Sequence, residues 1–250
     1  MEALNTVFWD LDGTIANTEM SGHRIAFNLA FSEYSLMWNW DEELYIRLLS
    51  IGGGLSRIIK YFEEINTYLS LEQAKLIHKR KQFHYNSLVS AGKLDLRIGV
   101  SRLINELYSK NVKQWIVTTS SILAVNAILN RYFPNHKLLF SGIISGEDVN
   151  CHKPDSEAYD LALKRSNSLP QNSLAIEDSI IGCQAAKSAQ LKCIMTLSPW
   201  IKSAPRSTPH ADLVVDHLGD NHMSSKIFYG HTKESMINYS CLYSILNGKI

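Results

Sequence analysis

This 250-residue sequence predicts an α/β fold, a parallel sheet layered between helices with a purely helical insertion near its start. Three observations carry that expectation. Short β-rich apolar runs recur, helical patterns alternate with the later ones, and roughly eighty residues of helical periodicity without a convincing strand separate the first run from the second.

The expected strands are Val7-Phe8-Trp9, Val112 to Val117, Leu138 to Phe140, Leu174 to Ile176, Cys193 to Thr196 and Leu213 to Val215. Each is short and mostly apolar, as strands buried on both faces are. Helical patterns cover Val100 to Tyr108, Ile122 to Tyr132, Asp155 to Ser166 and Ile180 to Ala189, with Gly or Pro near several boundaries. The alternation implies parallel strands joined by right-handed crossovers. The earlier stretches Glu19 to Tyr34, Asp41 to Ser50, Leu55 to Ile65 and Leu71 to Ser90 exceed what a compact crossover needs. Residues 17–92 are therefore expected to form an inserted helical cap, and residues 1–16 with 93–250 one α/β core. A last helix is expected within Ser235 to Asn247.

Composition narrows the function classes. With 45% hydrophobic residues a sizeable core can be buried, and 25 Lys and Arg against 24 Asp and Glu give no reason to expect nucleic acid or a membrane surface as partner. The longest uncharged run, Gln114 to Asn130, contains Thr, Ser and Asn and falls short of the roughly 20 apolar residues of a membrane span. Cys151, Cys183, Cys193 and Cys241 are scattered without metal-type spacing, which argues against a disulfide framework or zinc site and for a reducing compartment. The DxDGT sequence follows the first residues so closely that no signal or transit peptide is expected, and the location expected is cytoplasmic.

The chemistry lies at strand ends. Asp10 and Asp12 flank Leu11 just after the first strand, at the carboxyl edge where open α/β sheets bind ligands. Thr118, Thr119, Ser120 and Ser121 end the second strand before a helix, offering hydroxyls and amides to an anion. Lys153, in CHKPD before a proline that suits a helix start, adds a cation, and Glu177 with Asp178 add a second carboxylate pair. Taken singly, these are commonly turns, helix caps or solvated side chains. Taken together they are not: two unit charges 4 Å apart cost about 4 kcal/mol at an effective dielectric near 20. Carboxylates this close must protonate or bind a cation, and an all-oxygen set favours a hard ion such as Mg²⁺.

The stretches FWDLDGT, IVTTSS, HKPDSEAY and IEDSIIG resemble the four ordered motifs of the haloacid dehalogenase superfamily. The resemblance implies a Rossmann-like core with a mobile helical cap, and phosphoryl transfer through an aspartyl-phosphate. It implies Asp10 as nucleophile and metal ligand, and Asp12 as general acid and base that offers its backbone carbonyl to Mg²⁺. Thr118 and the amide of Thr119 would hold the phosphoryl group, and Lys153 would balance its charge. Asp178 would ligate Mg²⁺, with Glu177 acting through water. Members that dehalogenate typically lack the second acid and the metal pair, so Asp12 and Asp178 disfavour that chemistry.

In the insertion, HRIAFNLAF, WNWDEELYIRLLSIGGG and Arg57, together with LVVDHLG near the end, are similar to the photosynthetic CbbY-type sugar phosphatases. That resemblance implies xylulose-1,5-bisphosphate as substrate. Arg24 and Arg57 with His23 are suited to clamp a second phosphate, because guanidinium groups contact phosphate bidentately. Glu19 is placed to accept sugar hydroxyls, while Gly52, Gly53 and Gly54 permit close backbone approach or a hinge. Two departures stand out: Leu55 occupies a position where Lys is expected, and Ile98 replaces a common Pro. Lys75, Lys79, Arg80 and Lys81 read as a solvated helix face. The expected partner is a small phosphorylated sugar met by a monomer. A β-phosphoglucomutase-like phosphosugar mutase, a phosphoglycolate phosphatase or pyrophosphatase, and a non-catalytic phosphometabolite binder are the alternatives.

Overall fold

In the computed structural model, which describes residues 3–199 and 211–249, every side chain of strand β1 (Thr6–Trp9) is buried. A π-helical turn, Glu19–Arg24, runs directly into α1 (Ile25–Glu33), followed by α2 (Glu42–Leu48), α3 (Gly54–Glu64) and α4 (Leu71–Ser90). The chain continues through α5 (Val100–Ser109), β2 (Lys113–Val117), α6 (Ile122–Tyr132), α7 (His136–Leu139), β3 (Gly142–Ile144) and α8 (Glu157–Ser166). It closes with β4 (Ser173–Glu177), α9 (Ile180–Ser188), β5 (Lys192–Thr196), β6 (Leu213–Val215), β7 (Ile227–Tyr229) and α10 (Tyr239–Leu246).

The sheet order is β3-β2-β1-β4-β5-β6-β7, parallel except where β7 pairs with β6. β1 therefore sits at the switch point, with β2 on one side and β4 on the other, and a crevice opens at its carboxyl end. Side-chain alternation builds a core on each face. Val7, Trp9, Ile116, Leu174 and Ile194 pack under α5, α6 and α10, whereas Phe8, Val117, Ala175 and Met195 pack against α8 and α9. One polar brace crosses the first layer. Trp9 Nε1 donates to Gln114 Oε1 at 3.1 Å, and Gln114 Nε2 donates to the Ile104 carbonyl at 3.0 Å.

Helices α1 to α4 enclose an apolar cluster of their own that includes Phe27, Phe31, Trp40, Leu48, Phe62 and Ile77. α4 starts on a capping box, Ser70 and Gln73 satisfying each other's backbone N–H. It belongs to two cores: Ala74 and Ile77 join the cap cluster, while Tyr85 and Val89 join the sheet's. The two linkers run side by side, Asn17 N–H donating to the Asp95 carbonyl and Arg97 N–H to the Ile15 carbonyl, each at 2.9 Å.

Two expectations need correction, and one strand was not foreseen. Leu138 to Phe140 is not a strand, because the Leu138 and Leu139 amides donate back to the Asn135 carbonyl and Phe140 to that of His136, coiling the run into α7. The strand begins instead at Gly142, against the Trp115 ring, where an added Cβ would lie 2.3 Å from it. β7 (Ile-Phe-Tyr) adds a strand to those expected, an antiparallel edge with Phe228 and Tyr229 exposed. Lys81 is 4% exposed and leaves the solvated face expected of it. No helix among the described residues is long and apolar enough to cross a membrane.

Gln114→Met would leave the buried Trp9 N–H without an acceptor. A destabilisation of about 1–3 kcal/mol is expected, read as a lower midpoint in thermal unfolding by circular dichroism.

Candidate active site

Four strand ends meet in the crevice. β1 delivers Asp10, its backbone N–H tied to the Ile176 carbonyl at 3.0 Å; β2 delivers Thr118 to Ser120; the loop after β3 delivers Lys153; and β4 delivers Glu177 and Asp178. The buried Lys153 ammonium uses all three donors, on Asp10 Oδ1 at 2.7 Å, Glu177 Oε1 at 2.6 Å and the Val117 carbonyl at 2.9 Å. Tyr159 Oη donates to the same Glu177 oxygen. Burial opposes the Lys153 charge, but Asp10 and Glu177 outweigh it and push its pKa up, so the cation persists.

Carboxylate oxygens of Asp10, Glu177 and Asp178 all lie within 4.8 Å of one another. Burial pushes Asp10 well above the ordinary range, with Lys153 opposing and the other two acids adding to the rise. Burial likewise pushes Asp178 up to about 7, against the hydrogen bond from Ser198 Oγ at 2.6 Å. Gly13 makes this approach possible: its φ is +85°, and a Cβ there would lie 2.0 Å from Asp178 Oδ2. Among the described residues, buried Glu177 Oε2 has no hydrogen-bond partner. Three carboxylates against one ammonium, with an orphaned oxygen and no softer donor among them, fit a hard divalent cation.

Asp12 stands apart from that cluster. Its Oδ2 accepts from Ser120 Oγ and its Oδ1 meets His23 Nε2 at 3.2 Å. Lys81 Nζ lies 2.8 Å from His23 Nδ1. An ammonium can only donate, so Nδ1 accepts and the imidazole proton sits on Nε2, pointing at Asp12. Burial pushes Asp12 up, but the bonds from His23 and Ser120 outweigh it and hold the carboxyl well below its ordinary range. Lys81 is itself lowered to about 8 by burial, with the nearby Glu19 and Asp12 opposing. Its ammonium lies over the rings of Phe27 and Tyr85, the latter stacked on His23.

The candidate residues of the helical insertion divide. Glu19 lines the crevice and accepts from Tyr45 Oη at 2.6 Å, and that hydroxyl accepts from Arg57 Nη1 at 3.0 Å. Arg57 also donates to the Leu48 and Ile51 carbonyls, so three of its nitrogens are engaged although it still faces the cavity. His23 borders the same cavity, with both ring nitrogens committed to Asp12 and Lys81. Arg24 is not brought to the site: it reaches the Trp40 carbonyl at 3.3 Å and Glu42 at 3.6 Å, on the cap's own framework. Gly53 and Gly54 line the cavity, Gly54 against His78, whose pKa burial lowers to about 4. Leu55 packs on the cap's apolar cluster.

Two cavities, of about 430 and 630 Å³, share Asp12, Glu19, Arg57, Thr119 and Lys153. The first takes in Asp10 and Asp178 and has apolar lips, Ile46 and Leu49 on the cap and Ile180 on the core. The second takes in His23, His78, Lys81 and Gln82. Lys81 and Ser198 escape motif reading. Lys81 shares the stripe of Ala74, Ile77 and Tyr85 on α4, and a charge on an apolar stripe is the signal for it.

The family model for haloacid dehalogenase-like hydrolases matches residues 7–196. The chain belongs to this family. Among relatives of this hydrolase, "Protein CbbY, plasmid" of Cupriavidus necator is 35% identical over 223 residues, covering 87% of each chain. A CBBY-like protein of Arabidopsis thaliana is 34% identical over 224 residues, 86% of this chain and 70% of the relative. The crystal structure of a mutant CbbY from Rhodobacter sphaeroides in complex with xylulose-1,5-bisphosphate is similar, with a TM-score of 0.79, 31% identity, and 86% of this chain and 94% of that one covered. Within the haloacid dehalogenase-like hydrolases this chain is a phosphatase.

Lys81→Met would remove the donor that orients His23 while putting an apolar side chain on an apolar stripe. Turnover of a chromogenic phosphate monoester is expected to fall at least about tenfold. The melting temperature should stay level or rise, as replacing buried charge by apolar volume often allows.

Proposed function

We propose that this enzyme is a Mg²⁺-dependent sugar phosphatase that hydrolyses xylulose-1,5-bisphosphate through an aspartyl-phosphate on Asp10. The observation carrying the reading is the Asp10 carboxylate, gripped by Lys153 within a cluster of carboxylates, in a chain similar to the CbbY complex. Asp10, Asp178 and the Asp12 carbonyl would hold Mg²⁺, with Glu177 acting through water. The bound ion would supply positive charge to the phosphoryl oxygens and lessen the repulsion of an anionic nucleophile.

Asp10 attacks phosphorus, forming an O–P bond as the sugar's ester P–O bond breaks. Lys153 neutralises charge on the transferring group, and Thr118 with the Thr119 amide orients it. Asp12 protonates the leaving alkoxide, then takes a proton from the water that attacks phosphorus and frees Asp10. His23 and Ser120 keep Asp12 ionised in the resting site, which suits the second step; for the first, Asp12 must take up a proton as substrate displaces its partners. Residues 17–92 act as the cap, and the larger cavity, with Arg57, Lys81 and neutral His78, receives the rest of the substrate.

Phosphate release is to be measured with Mg²⁺ across xylulose and ribulose bisphosphates, phosphoglycolate, glucose phosphates and pyrophosphate. Xylulose-1,5-bisphosphate should lead, and Asp10→Asn should abolish release by at least roughly four orders of magnitude. A flat profile or another preferred substrate sinks the substrate assignment. Isomerised sugar phosphate without net release would make the enzyme a mutase.

A further inference from the structure

Arg97 lies on the linker that returns from the helical insertion, and its guanidinium is buried. Burying that charge is costly, yet its acceptors are chiefly backbone carbonyls. Nη1 donates to the Gly13 carbonyl and to Thr196, at 3.1 Å to the carbonyl and 3.3 Å to Oγ1. Nη2 donates to the Leu197 carbonyl at 2.6 Å and the Asp216 carbonyl at 2.5 Å.

These acceptors converge on the surroundings of one side chain. Gly13 is the floor on which the Asp178 carboxylate rests, with no room for a Cβ between them. Leu197 immediately precedes Ser198, whose hydroxyl donates to Asp178 Oδ2. Thr196 Oγ1 also donates to the carbonyl of Glu177, the residue before Asp178, at 3.3 Å. Arg97 thus grips the loop below Asp178 and the strand end beside it, while its own N–H ties the two linkers together.

We infer that Arg97 is a positioning residue that sets the Asp178 carboxylate for a divalent cation and fastens the cap's return linker to that setting. The inference rests on the reading of Asp178 as a metal ligand. Outer partners of this kind typically change metal affinity by 10–100-fold.

The test is Mn²⁺ binding to the substrate-free protein, followed by the electron paramagnetic resonance of the free ion, with melting temperature recorded alongside. The control is Arg102→Met. Arg102 likewise clamps carbonyls, those of Leu218, Gly219 and Ile237, but none of these flanks the acidic cluster. Arg97→Met should weaken Mn²⁺ at least about tenfold and Arg97→Lys less, while Arg102→Met lowers the melting temperature and leaves Mn²⁺ binding unchanged. Wild-type Mn²⁺ affinity in folded Arg97→Met overturns the inference, as does equal weakening in Arg102→Met. Should Arg97→Met not fold, wild-type affinity in Arg97→Lys overturns it equally. A wild-type protein that binds no Mn²⁺ overturns the proposed metal site itself, and the inference with it.

Discussion

The buried ammonium of Lys153 is the charge on which the rest of the site depends. Without it, Asp10 and Glu177 would face each other as two largely buried carboxylates, and removing one partner of a buried ion pair typically costs about 3–5 kcal/mol. Its position depends in turn on the sheet. The Val117 carbonyl at the end of β2 accepts its third proton, so the cation is fixed by three strands at once. β1 has to be central for this to work, because only a strand flanked by β2 and β4 can present Asp10 to groups from both sides.

Asp12, two residues away, lives in a different electrostatic setting. Asp10 is raised by burial among other acids, whereas Asp12 is lowered by donors from the cap and from β2's end. One short loop thus holds one carboxyl pushed up and another held down, which suits the division of labour proposed for them. One donor, Ser120, belongs to a core motif, whereas His23 comes from the π-helical turn with Lys81 behind it on α4.

Much of this was legible before any coordinates. β1 to α6 and β4 to β6 follow from short apolar runs alternating with helical stripes, and the strand-end acids, hydroxyls and lysine followed from motif order. The rest was hidden for physical reasons. β3 begins with a glycine packed so closely on the Trp115 ring that a Cβ would not fit, and β7 is a three-residue antiparallel edge whose Phe228 and Tyr229 are exposed. Arg24 illustrates a second limit, since a sequence cannot distinguish a guanidinium offered to substrate from one spent on the protein's own carbonyls and carboxylates. Lys81 sat among basic neighbours that look solvated, and only its helical phase betrays it.

α4 is seated in two cores, one end among cap aromatics and the other against the sheet's own helices. A rigid lid hinged only at its linkers would have to lift Tyr85 and Val89 into water, and exposing a single buried valine already costs about 1.5–3 kcal/mol. The helix is thus anchored to the sheet at its C-terminal end. Because Lys81 stands one turn from Tyr85, bending at the other end of α4 would disturb its contact with His23 least. A change of shape at the cavity mouth and a fixed setting for the partner of Asp12 would then be compatible along one helix.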